Sequence, residues 1–188
     1  MKALNCFLFS IVLFSSGGLY AQNAITPAVP AAAEILKKAV VKAGNENKKV
    51  LLMFHASWCV WCHRMDSSLV DPSCKKFFDD NFVITHITVS ESKGKENLEN
   101  AGGADMMEKY NGKDMGLPYW VIVDKNADLL FDSRFKVTAA DGKERNTIIG
   151  CPATQSEVDK FIEILKKTTA LTEPQLAIIA KRFRQNEK

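Results

Sequence analysis

The chain has 188 residues, a formal net charge of +3, 46% apolar residues and 25% charged residues. That length suits one domain with a real core, and the composition is that of an ordinary soluble globular protein. The basic excess is slight, with Lys and Arg interleaved with Asp and Glu, so there is no nucleic-acid footprint and no nucleic-acid partner is expected.

The N-terminus reads as a secretory signal, residues 1–21. Lys2 supplies the positive charge, an apolar run follows from Ala3 to Phe14, and Leu19-Tyr20-Ala21 offers a small residue for cleavage before Gln22. A retained membrane anchor is the alternative, but the run falls short of the roughly 20 apolar residues that a span needs. Cys6 lies at the start of the run rather than at a junction, so no lipid anchor and no role in the mature protein are expected for it. The expected location is periplasmic or secreted. Residues 22–30 are small, polar and Pro-containing, a flexible lead.

Residues 31–44 place Ile35, Leu36, Ala39, Val40 and Ala43 at helical spacing, with Lys37, Lys38 and Lys42 opposite. Lys49 to His55 is a short apolar run, as in a strand buried on both faces. Cys59 to Leu69 has helical composition, Asp71-Pro72 breaks it, and Lys75 to Asp80 resumes as a helix. Phe82 to Val89 is β-branched and reads as a strand. Residues 90–103 are polar, and Asp105 to Tyr110 is expected to be helical. Tyr119 to Val123 is a second buried strand, Asp124 to Ala127 a hairpin turn, and Leu129 to Phe135 the returning strand. Ala139 to Asn146 is polar with a turn at Asp141-Gly142, and Thr147 to Gly150 is a short strand or strand end. Ser156 to Lys166 sets Val158, Phe161, Ile162 and Leu165 on one helix face. Thr172 then caps a last helix striped by Leu176, Ile179 and Phe183. This order gives an α/β layered domain with a mixed sheet, residues 31–167, and a helical extension over residues 168–188.

After the leader, the cysteines are Cys59, Cys62, Cys74 and Cys151. These are too few for a disulfide-stapled mini-domain, and a close pair with two singles suggests reactive chemistry. The central signal is Trp58-Cys59-Val60-Trp61-Cys62-His63, directly after a buried strand. A helix N-terminus offers free N–H groups and a positive dipole end, which stabilise an anion such as a thiolate at Cys59 and lower its pKa. Cys62 lies about one helical turn further in, more buried, where it can resolve a mixed disulfide formed at Cys59.

At these residues the sequence resembles the thioredoxin superfamily. The matching stretches are Val50 to Phe54, Ala56-Ser57-Trp58-Cys59, the Cys-x-x-Cys pair, Gly116-Leu117-Pro118 before Tyr119 to Asp124, and Gly150 before the amphipathic helix. It is most similar to secreted thioredoxin-like proteins with a motif ending Trp-Cys-His. The resemblance implies a thioredoxin-like sandwich, a mixed central sheet flanked by helices, here with an extra C-terminal helix. It implies thiol–disulfide exchange without a cofactor, with Cys59 as nucleophile and Cys62 as resolving thiol. It makes Pro118 a cis-proline facing the pair, with Leu117 offering backbone groups to an extended substrate. The partners implied are exported disulfide-containing proteins, and a membrane-bound electron donor if the protein is a reductant. One departure matters: the buried Asp that thioredoxins carry six residues before the first cysteine is Met53 here, and no family partner Lys is matched.

Trp58 and Trp61 are expected to shape the apolar surround and contact substrate. His63, four residues after Cys59, shares its helix face and favours the thiolate when protonated; a plain surface histidine is the alternative. Cys74 reads as a small buried free cysteine beside Phe77 and Phe78. Cys151 follows Gly150 and either lies near enough to trap mixed disulfides or is a partly buried spectator. Three other readings share parts of this pattern. Cys59-x-x-Cys62-His63 matches the c-type haem attachment signature, with Met106, Met107 or Met115 as a distal ligand, but the strand order opposes it. A zinc site from Cys59, Cys62 and His63 lacks a second ligand pair. A thioredoxin-fold binding or chaperone module with idle cysteines fits the loss of the acid at Met53.

Overall fold

A computed structural model describes residues 29–138 and 141–187. The expected leader, Cys6 and residues 22–28 of the lead lie outside the described residues. The chain begins with helix α1 (Ala32–Asn45), strand β1 (Lys49–His55), and helices α2 (Val60–Leu69) and α3 (Lys75–Asn81). Strand β2 (Phe82–Thr88), helix α4 (Gly103–Lys109) and strands β3 (Tyr119–Val123), β4 (Leu129–Asp132), β5 (Arg134–Thr138) and β6 (Glu144–Ile148) follow. Helices α5 (Gln155–Thr168) and α6 (Glu173–Phe183) complete the order, with a short 3-10 turn at Arg184–Glu187.

β1, β2, β3 and β4 form one sheet in the order β2-β1-β3-β4. β1 runs parallel to β2 and antiparallel to β3, and β3 is antiparallel to β4, so the sheet is mixed. The continuous apolar runs of β1 and β3 have a direct cause: both strands are central and covered on both faces. Val50, Leu52 and Phe54 join Tyr119, Val121 and Val123 in the core beneath α1 and α4. Leu51 and Met53 join Trp120 and Ile122 in the core beneath α2, α3, α5 and α6. The sheet therefore separates two apolar layers, as the two-fold alternation of side chains requires.

Two elements differ from the sequence expectation. The single strand expected from Leu129 to Phe135 is two strands, broken at Ser133. The buried Ser133 leaves the main sheet: its N–H donates to the Trp120 carbonyl at 2.9 Å and its carbonyl accepts from Ile149 N–H at 2.7 Å. Its Oγ accepts from Trp120 N–H at 3.2 Å. Past this point β5 pairs with β6 in a separate two-stranded ribbon. The segment expected to be polar loop up to Asn146 is thus strand from Glu144. The ribbon is mostly exposed and joined by a Lys136–Glu144 ion pair of 2.8 Å, so it carries no apolar alternation to read.

The C-terminal helices dock by aromatic and polar contacts. Phe161 of α5 meets Trp120 at 5.5 Å and Phe183 of α6 at 5.0 Å between ring centroids. α5 starts at a complete capping box, Thr154 with Glu157, which satisfies N–H groups that the helix itself leaves open. Beyond α6, the side chain of Asn186 is buried. Its amide donates to Ser68 Oγ at 3.0 Å, to the Pro152 carbonyl at 3.2 Å and to Cys151 Sγ at 3.3 Å. Arg182 binds Asp71 at 2.7 Å, and Arg64 donates to the Asn186 carbonyl at 2.8 Å. Ser73 and then Arg182 hold the Asp71 carboxyl down to about 2. The tail is thereby fastened to the C-terminal half of α2.

Replacing Asn186 by Ala removes its bonds to Ser68 Oγ and to the buried Pro152 carbonyl; Ser68 still donates to the Arg64 carbonyl at 2.8 Å, while the carbonyl of Pro152 loses its donor. The expected loss is about 1–3 kcal/mol of unfolding free energy, the usual cost of an unsatisfied buried polar group. Urea denaturation measures it, and an unchanged midpoint shows that the tail does not brace α2.

Candidate active site

β1 ends at His55, and its direction delivers Ala56-Ser57-Trp58 to the start of α2. Ala56 is fully buried, and Cys59 N–H donates to its carbonyl at 3.1 Å, which turns the chain sharply. Cys59 is the N-cap of α2: its Sγ accepts the backbone N–H of Cys62 at 3.1 Å. A sulfur thus occupies the place where a Ser or Asp oxygen usually satisfies an open helical N–H. Cys59 and Cys62 form a disulfide, with Cα atoms 5.2 Å apart. Both cysteines are buried, Cys59 at 3% and Cys62 at 0% exposure.

The Leu117–Pro118 peptide bond is cis. Leu117 packs on Ala56, Cys59 and Cys62. Phe54 pairs with Tyr119, so Pro118 lies at the end of β1 from which the cysteines emerge. Gly150 brings the segment before α5 alongside. It has φ +57°, and an added Cβ would sit 4.0 Å from the Pro118 carbonyl oxygen. Between these segments lies a cleft of about 330 Å³, walled by Trp61, Leu117, Pro118, Ile149, Gly150 and Cys151. Trp61 is 44% exposed, with the Arg64 guanidinium 4.6 Å from its ring centre.

Trp58 does not line this cleft. It is 52% exposed, and its indole N–H donates to the Ser90 carbonyl at 2.9 Å, on the β2–α4 connection. His63 is exposed, and its Nε2 lies 3.1 Å from the Ser57 carbonyl. Cys151 lies in the cleft wall, but its thiol is buried, and that burial pushes it up to about 12. Cys74 is buried and free as the N-cap residue of α3, its thiol donating to the Ser68 carbonyl at 3.1 Å; burial raises its pKa too. Met53 is fully buried in the core beneath α2. Among the described residues, no group of three or more His, Cys, Asp or Glu is placed to hold a metal ion.

Sequence reasoning missed the clamp on the junction. Glu91 accepts the Ser57 N–H at 2.6 Å and the Ser57 hydroxyl at 2.7 Å. These bonds hold its carboxyl below the ordinary value of 4.5. The partners stand 34 positions apart, a separation that no local motif reports. Histidines at 55 and 86 also escaped notice; continuing the two-residue period of β1 past Met53 would have placed His55 on the sheet face beneath α2.

A disulfide set at the end of a buried central strand, its sulfur capping the following helix, is the arrangement of thiol–disulfide oxidoreductase-like proteins, here on an α/β thioredoxin-like fold. Residues 36–136, more than half of the chain, match the family described as thioredoxin-like domain, and the chain belongs to that family. Among solved structures it is similar to a disulphide isomerase from Xylella fastidiosa Temecula1. The identity is 22%, over 63% of this chain and 80% of that one, with TM-score 0.45. It is also similar to the oxidised C-terminal domain of DsbD from Neisseria meningitidis, at 20% identity over 75% of this chain and 99% of that one, TM-score 0.43. A third is the exposed lipoprotein thioredoxin of Streptococcus pneumoniae TIGR4, at 18% identity over 69% and 95%, TM-score 0.39. The comparison with curated proteins gives no match.

Two outcomes are expected. In the reduced, folded protein, iodoacetamide labels Cys59 first, while Cys74 and Cys151 react only after denaturation; peptide mass spectrometry reads the order. Early labelling of Cys151 would show a thiol far more readily ionised than one pushed up to about 12. Second, a carboxyl depressed in the folded state contributes stability above its unfolded pKa, and that contribution is lost as pH falls through the folded value. Acidification through the depressed Glu91 value, which lies below 4.5, therefore releases the Ser57–Glu91 clamp and changes the emission of Trp58. Glu91→Ala abolishes this acid step; a variant that titrates like the wild type removes the clamp from the account.

Proposed function

We propose that the chain is an exported thiol–disulfide oxidoreductase that reduces or isomerises protein disulfides through Cys59 and Cys62. The observation that carries this is the Cys59 sulfur at the N-terminus of α2, one half of a disulfide and already the acceptor of the Cys62 N–H at 3.1 Å. On reduction, the same N–H and the positive end of the helix stabilise a Cys59 thiolate. That thiolate attacks one sulfur of a substrate disulfide, and the other substrate sulfur leaves and takes a proton. The Cys62 thiol then loses its proton and attacks the Cys59 sulfur. The mixed disulfide breaks, Cys59–Cys62 closes, and the second substrate thiol departs. Two electrons and two protons pass from the dithiol to the substrate, and no cofactor takes part.

The position of Cys59 as the N-cap of α2, with Cys62 one turn inside the helix, supports this order of attack. Trp61, Leu117 and Pro118 would receive an extended peptide in the cleft beside them, with Trp58 and His63 shaping the rim around Cys59. Cys151 is at most an auxiliary group, since a thiol pushed up to about 12 is scarcely ionised at neutral pH. Export rests on Lys2, the apolar run from Ala3 to Phe14 and the small residue Ala21, with a lead over 22–30, a catalytic unit over 31–167 and an extension over 168–188. No helix among the described residues is long and apolar enough to cross a membrane. A net reductant in an oxidising compartment needs a membrane-bound electron donor; an isomerase does not.

The test is the equilibrium reduction potential of the Cys59–Cys62 pair in defined thiol buffers. A value near or below about −230 mV marks a reductant, and one near or above about −180 mV an isomerase or oxidase. Cys62→Ser is expected to accumulate mixed disulfides at Cys59. If no reversible pair is found, the proposal fails in favour of a thioredoxin-fold binding module.

A further inference from the structure

The three histidines of the chain, His55, His63 and His86, come from three different elements and converge on one side of the α2 N-terminus. His55 is the last residue of β1, two beyond Met53 and therefore on the same sheet face, beneath α2. His86 of β2 pairs with Met53 in the sheet, and its ring meets the His55 ring edge-on at 5.0 Å between centroids. Asp66 of α2 accepts from His86 Nε2 at 2.8 Å. Asp66 stands four residues after Cys62, one turn along the same side of the helix. Thr88 Oγ1 lies 3.2 Å from His55 Nε2 and fixes that ring from the end of β2.

This cluster lies where the sheet face changes character. At Met53 the face is fully buried and apolar; one pleat further on, at His55, it is half-buried and titratable. The resolving step needs the Cys62 proton to leave, and Met53 cannot take it. We propose that His55, oriented by Thr88 and by the Asp66–His86 pair, receives the Cys62 proton through intervening water and so acts as the positioning base of the resolving step. The proposal rests on the function proposed above for the cysteine pair.

The step balances. The Cys62 S–H proton passes to neutral His55, the Cys62 thiolate attacks Cys59 Sγ, and the Cys59–substrate sulfur bond breaks. The departing substrate thiolate takes a proton from the His55 imidazolium, which restores neutral His55. Burial, and next the neighbouring His86, hold the His55 pKa below 6.5, so the ring is neutral and able to accept at pH 7. The charged groups facing it are His86 from β2, Asp66 and His63 from α2, and Glu91 from the connection after β2. The two carboxylates favour the imidazolium and the two other histidines oppose it.

The test isolates the resolving step. Cys59 is first loaded as a mixed disulfide with thionitrobenzoate, and release of the coloured thiol by Cys62 is followed from pH 5 to pH 9. In the otherwise wild-type protein, release is expected to show an inflection on the acid side of neutrality, from the imidazole. His55→Gln should lose that inflection and release about a hundredfold more slowly at pH 7, the low end for removal of a general base. His86→Gln keeps the His55 imidazole but loses its partner, and should shift the inflection rather than remove it. Alkylation of Cys59 in a Cys62→Ser background reports a different step and should change less than twofold with His55→Gln. If His55→Gln does not fold, the shift in His86→Gln decides. A wild-type pH profile in whichever variant folds overturns the proposal. A pair that never cycles between dithiol and disulfide overturns the function itself, and the potential measurement detects that separately.

Discussion

The structure depends on where α2 begins. A central strand buried on both faces cannot drift, because β2 on one side and β3 on the other fix its register residue by residue. The end of β1 is therefore a fixed point, and four residues later the Cys59 sulfur closes the first turn of a helix by accepting the Cys62 N–H. The same bond shapes and activates. It satisfies an amide that the helix cannot satisfy for itself, and it sets a sulfur where partial positive charge is concentrated. A serine at this position would cap the helix as well and do no redox chemistry.

Everything around the junction limits its freedom. On one side, Ser57 and Trp58 are bound to Glu91 and Ser90, so the residues leading into Cys59 do not swing. On the other side, Leu117 packs on the two cysteines, and Gly150 lets the segment before α5 come up beside Pro118. The far end of α2 is braced by Ser68 and Arg64 against the tail at Asn186. A helix held at both ends keeps its two sulfurs at a constant separation, and that favours exchange between them over reaction with a stray thiol. The extension after α5 thus braces α2 from a distance and also places Glu187 in the wall of the cleft.

The strongly buried parts of this architecture were legible in the sequence, and the exposed or long-range parts were not. β1 and β3 announce themselves as unbroken apolar runs because both faces are covered. α5 shows its stripe and its capping residues because one face is in the core. The cysteine motif was legible because its spacing and its place after a strand are both local. The β5–β6 ribbon was misjudged for the opposite reason: its residues are held by ladder bonds and an ion pair rather than by burial, and Ser133 changes sheets with a polar side chain that forecasts nothing. Glu91 and Asn186 act on residues far away in the chain, so neither stands in a recognisable context. The sequence left Cys151 open between a trapping thiol and a buried spectator, because the contact it makes with the tail at Asn186 is long-range.

Met53 ties the site to the layer beneath it. An acid at that position would sit in the apolar core between the sheet and α2, where ionisation is costly and a proton is held tightly. A thioether removes that cost and packs well, in contact with the same core as Met65 and Trp120. It also leaves the fully buried Cys62 without the proton acceptor that an acid at this position would offer. The chain thus combines a first cysteine whose anion is supported by the helix terminus with a second whose anion is not supported by the core. Such asymmetry makes attack on substrate easy and resolution dependent on whatever proton acceptor stands nearest. At the edge of the sheet, one pleat beyond Met53, the apolar layer ends and His55 begins the polar face that is in contact with Asp66 through His86. The proton traffic of the pair is displaced from the core to its margin, where titratable groups can be half-hydrated and where their charge states answer to the solvent.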